Sequence, residues 1–124
     1  GRRCAAAGRA RGSAGHHRLL AARGRVSETT AWFAARTEGA PSALRARAAE
    51  YLAQIPAGGP AASRLAAAAT LALTGVLGRG RQRSAALDLL TADSLITLAL
   101  LAQAEAGPDE LARFAADFVS TTAA

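Results

Sequence analysis

Each of the four prolines in this 124-residue chain stands within two residues of a glycine. Pro41 follows Gly39, Pro56 and Pro60 enclose Gly58 and Gly59, and Pro108 follows Gly107. Proline withdraws a backbone donor and glycine frees φ, so each pairing stops one helix and lets another begin in a new direction. The stretches between these stops carry apolar residues at helical spacing, without strand-like alternation and without an internal repeat. Short links make successive helices antiparallel neighbours. The expected fold is therefore all-α, a compact antiparallel bundle of four or five helices in one domain over residues 26–124.

The stops set the expected elements. Ser27 suits an N-cap with Glu28 in the first turn, giving a first helix over residues 28–38 that Gly39 ends in a left-handed conformation. Pro41 takes the first position of the second, with Leu44, Ala48, Tyr51, Leu52 and Ile55 on one stripe. The third runs from Pro60 to about Leu77 and buries Leu65, Ala68, Ala69, Ala72, Leu73 and Val76, mostly small residues that let a neighbour approach closely. The fourth runs from Ser84 to about Glu105. The fifth follows Gly107 and Pro108, carries Asp109 and Glu110 in its first turn and packs through Leu111, Phe114, Ala115 and Phe118, with residues 120–124 fraying.

The fourth helix is apolar on two sides. Leu87, Leu90, Leu98 and Leu101 fall together on a helical projection, and Leu89, Ile96 and Leu100 fall on the opposite side. Such a helix is either central or gives one face to an interface, and Leu89, Ile96 and Leu100, with Trp32 on the first helix, are the interface candidates. Trp32 and Phe33 are adjacent aromatics, read first as core residues.

Charge is concentrated at one end. Residues 1–25 hold seven of the 15 arginines and no acid, whereas the remaining 99 residues hold eight arginines against nine acids. The net charge of +6 therefore describes a terminal arm. Leu19 and Leu20 are its only large aliphatics, worth roughly 3–6 kcal/mol if buried, against roughly 25–50 kcal/mol to order 25 residues. A disordered Arg/Gly/Ala-rich arm is expected, and it lacks the apolar core of a secretory signal. Two readings of it are open: a native basic arm, or translated upstream sequence before a native start at Val26. Arginine as the sole strong base, 36 alanines and the absence of lysine, asparagine and methionine point to a bacterium with GC-rich coding. A single cysteine fits a reducing, cytoplasmic setting. Because no run of about 18 uncharged apolar residues occurs, no membrane span is expected.

From Val26 onward there is no histidine, cysteine or lysine, which removes nucleophilic pairs, Schiff-base lysines and the usual zinc sites. His16 and His17 near Cys4 lack metal-ligand spacing, so neither a metal nor a cofactor is expected. Asp88 and Asp93 lie about 140° apart on a helix and are read as structural or solvated acids. Asp93, Thr97 and Gln103 are read as the edge of a packed face. Arg79, Arg81 and Arg83 are candidates for contacting an anion, with neutralisation of a helix C-terminus as the simpler role. The leading functional reading is a non-enzymatic helical protein that acts through protein–protein interaction or self-association, as a homodimer. The alternatives are a nucleic-acid-associated protein using the basic arm and a binder of small apolar ligands between its helices.

Overall fold

The structure is a computed structural model that describes residues 28–79 and 83–123. The basic arm, Cys4, His16, His17, Val26 and Arg81 lie outside the described residues. Among the described residues there are five α-helices and no strand: α1 over residues 28–36, α2 (Ser42–Ala53), α3 (Ala61–Arg79), α4 (Arg83–Ala106) and α5 (Leu111–Ala123), with a short 3-10 turn (Pro108–Glu110) before α5. The helices pack against one another as an all-α bundle.

The most extensive pairing is α3 on α4. Joined by three residues, the two helices run antiparallel. The buried residues of α4 include Ala85, Asp88, Ala92, Leu95, Ala99 and Ala102, alternately three and four residues apart. On α3 the same spacing selects Ala62, Leu65, Ala69 and Ala72, all buried, and continues to Val76 and Arg79. This is the register of a coiled-coil seam. Its alanines permit close approach of the two backbones, so bulky side chains are displaced to the flanks. Leu65 and Leu95 are the large apolar residues fully enclosed in it.

This seam corrects the expected stripes of α4. Of Leu87, Leu90, Leu98 and Leu101, only Leu98 is buried, while Leu90 is 59% and Leu101 41% exposed. At 100° per residue the two leucine-rich stripes lie roughly 130° to one side of the seam and roughly 90° to the other. Size had marked the flanks, and the small residues between them mark the core.

α2 lies across both α3 and α4 and contributes Ala48, Tyr51 and Leu52 to the core. Phe33 of α1 is buried beside them, and Trp32 and Ile55 are half-buried against the same cluster. α5 leans on α4 through half-buried Phe114 and Phe118, and none of its residues is fully buried.

Two helix ends differ from expectation. Gly39 does not adopt a left-handed conformation; among the described residues the glycines with positive φ are Gly58 (107°) and Gly59 (81°), in the α2–α3 link. Instead, α1 ends where Thr37 donates both its amide (3.0 Å) and its hydroxyl (2.8 Å) to the Phe33 carbonyl. α5 continues to Ala123 rather than fraying from residue 120, and the hydroxyls of Thr121 and Thr122 bond back to the carbonyls of Asp117 and Phe118. α3 and α4 also qualify the membrane argument. Windows of 18 residues in them reach mean hydropathies of 1.4 and 1.7, long and apolar enough to cross a membrane despite interrupting charges. The exclusion drawn from uncharged runs is therefore too strong; the same two helices form the core pair of this fold.

Candidate functional site

Among the described residues, a cluster of charged side chains gathers where the seam meets the α3–α4 link. Asp88 of α4 sits in the seam with 1% exposure. Its Oδ1 accepts from Arg47 Nε of α2 at 2.7 Å, and its Oδ2 pairs with Arg79 Nη1 of α3 at 2.6 Å. The Tyr51 hydroxyl accepts from Arg47 Nη2 at 3.3 Å and Arg79 Nη2 at 3.2 Å. Arg47 also pairs with Glu50 at 2.6 Å and stacks over the Tyr51 ring, 4.8 Å from its centroid. The cluster thus ties α2, α3 and α4 together through one carboxylate.

Gly75 makes room for it. A Cβ there would stand 2.8 Å from Arg79 Nη2, and Arg79 Nε donates to the Gly75 carbonyl at 3.2 Å. A mid-helix glycine costs about 1 kcal/mol relative to alanine, and here it lets Arg79 fold back along its own helix toward Tyr51.

The electrostatics disfavour acid–base work. The hydrogen bond from Arg47 is the main influence holding the Asp88 carboxyl below its ordinary range, opposed by burial and assisted by the charges of Arg47 and Arg79. The bond to Asp88 in turn raises the pKa of Arg47. A carboxylate whose two oxygens are both engaged by guanidinium groups is a poor proton acceptor at neutral pH.

The sequence candidates fall into separate places. Arg79 is engaged by Asp88, Arg83 is exposed at the first residue of α4, and Arg81 lies outside the described residues. Leu89 is 52% exposed. Ile96 and Leu100 are half-buried and, with Phe114 and Phe118, line an apolar pocket of about 180 Å³ beneath α5. Trp32 is half-buried at the far end of α4, where its indole N–H donates to Glu105 at 3.1 Å and Arg36 lies 5.3 Å over its ring while also pairing with Glu105. The four interface candidates therefore do not form one surface. Leu89 shares the open side of α4 with Leu90, Leu101, Asp93 and Thr97, all exposed.

Asp93 and Thr97 stand on that open side, and Gln103 donates to the Gly107 carbonyl at 3.0 Å, finishing α4. Among the described residues, no group of three or more His, Cys, Asp or Glu side chains is arranged to hold a metal ion. The Asp88 cluster was not anticipated from sequence, although a signal for it exists: Asp88 and Arg79 occupy seam positions close to the link on facing helices, with opposite charge. Comparison with protein-family models, with curated proteins and with solved structures finds no match for this chain.

Proposed function

We propose that this chain works by binding rather than by catalysis, as a self-associating helical protein of the bacterial cytoplasm whose open α4 face pairs with a second copy of itself. The observation that carries the reading is the exposure of three leucines, Leu89, Leu90 and Leu101, on one side of a helix whose other sides are covered. The pattern along that side is self-complementary. Two copies of α4 set antiparallel about an axis at Leu95 bring Leu89 level with Leu101 and Asp93 level with Thr97, with Leu90 beside them. Leucine then meets leucine, and each acid faces a hydroxyl instead of its own copy, as an isologous interface requires. One helix face is a small contact, so the association is weak and concentration-dependent.

Two substitutions test this. Leu90→Arg places a charge at an exposed position, so the helical circular dichroism and thermal midpoint stay as in the unaltered protein while the mass in solution falls from dimer to monomer. Ile96→Arg places a charge beneath α5 and lowers stability. Equal masses for the unaltered protein and Leu90→Arg would contradict the reading.

A further inference from the structure

A second feature lies away from the α4 face. Arg64, in the first turns of α3, is 5% exposed. Its Nε and Nη2 donate to the carbonyls of Pro56 and Ile55, each at 3.3 Å, and so close the end of α2. Its Nη1 is buried and has no hydrogen-bond partner. All nine acidic side chains of the chain lie within the described residues, and among those residues their ion pairs go to Arg36, Arg47 and Arg79. Residues 1–27 contain no acid. No carboxylate side chain of this protein neutralises Arg64, and arginine does not shed its proton.

The same residue forms part of the wall of a cavity of about 450 Å³, whose other walls include Thr30, Phe33, Leu52, Ala53 and Ile55. That volume falls in the range of small-molecule sites, and the composition is the usual one for them: mostly apolar walls with few polar groups, here Arg64 and the Thr30 hydroxyl. Nη1 is closed to solvent as the side chain stands, so it meets a ligand by a turn of the guanidinium toward the cavity; a guanidinium so placed selects a planar anion, which it grips with charge-assisted hydrogen bonds. A single cation among apolar walls suits a monoanion with a hydrocarbon body better than a multiply charged phosphate.

We infer that this cavity is a binding site for an apolar monocarboxylate, its carboxylate on Arg64 and its hydrocarbon body against Phe33, Leu52 and Ile55. The site is independent of the α4 pairing. Calorimetric titration of the full chain with octanoate, and with octanol as an uncharged probe of the same tail, tests it. Octanoate should bind saturably, one per chain and at least about tenfold more tightly than octanol, the factor expected of one charge-assisted bond. Arg64→Gln should erase that preference. Because Arg64 also closes α2, a second variant guards against a folding defect: Ala53→Phe changes an exposed wall residue, should leave the circular dichroism unchanged, and should abolish octanoate binding by filling the cavity. Equal binding of octanoate and octanol, or no binding of either, would overturn the assignment, as would Ala53→Phe binding octanoate like the unaltered chain.

Discussion

Asp88 holds three helices at one point, because α2, α3 and α4 meet at its two oxygens. Removing its charge leaves Arg47 and Arg79 facing a neutral group in a seam. Breaking a buried pair by deleting one partner costs about 3–5 kcal/mol; here the two guanidinium groups keep about a third of their exposure, which reduces the cost. Asp88→Asn should therefore lose about 2–3 kcal/mol in urea unfolding, whereas Asp93→Asn on the open face should change stability by less than about 0.5 kcal/mol. The pH dependence follows from the direction of the shift. A carboxyl depressed in the folded state contributes stability that is fully present above its unfolded pKa, near 4, and that is lost as pH falls through the depressed folded value. The unaltered protein should hold a constant midpoint from about pH 5 to 8 and weaken progressively below about pH 4, and Asp88→Asn should remove that part of the acid dependence.

At the scale of elements, the α3–α4 pair carries the core, and its alanines are functional in the packing sense. Ala69 is completely enclosed in the seam. Enlarging it to leucine adds three carbons where the helices approach closely, so Ala69→Leu should destabilise the fold by about 3 kcal/mol despite leucine's good helix propensity. Leu77→Ala is the counterpart: the side chain is 77% exposed, and its loss should change the urea midpoint little. The helices themselves were legible from the Pro/Gly stops, because backbone chemistry acts locally. The buried face of α3 was legible in part: Leu65, Ala68, Ala69 and Ala72 are buried as their spacing requires, whereas Leu73 and Val76 of the same expected stripe stay half-buried. The buried face of α4 was not, because Leu87, Leu90 and Leu101 outweigh Ala85, Ala92 and Ala99 on any scale that counts apolar bulk. What selects the alanines is the facing helix, and only the matching three-and-four spacing on α3 reveals it.

For the whole molecule, the candidate site was less readable than the fold. Asp88 looked like one of two scattered acids until α2 and α3 brought Arg47 and Arg79 to it, a tertiary coincidence that one helix's projection does not contain. The open face of α4 joins residues that the helical projection separates, Leu90 and Leu101 from one stripe and Leu89 from the other, and its membership depends on where α5 lies: Phe114 and Phe118 cover Ile96 and Leu100 and leave Leu89, Leu90 and Leu101 uncovered. What that face does is the central question, and sedimentation equilibrium of the unaltered chain at tens of micromolar addresses it most directly. Pairing through α4 predicts a weight-average mass that rises with concentration from the 12.5 kDa of one chain toward twice that value. A mass fixed at that of one chain across the whole range would contradict it.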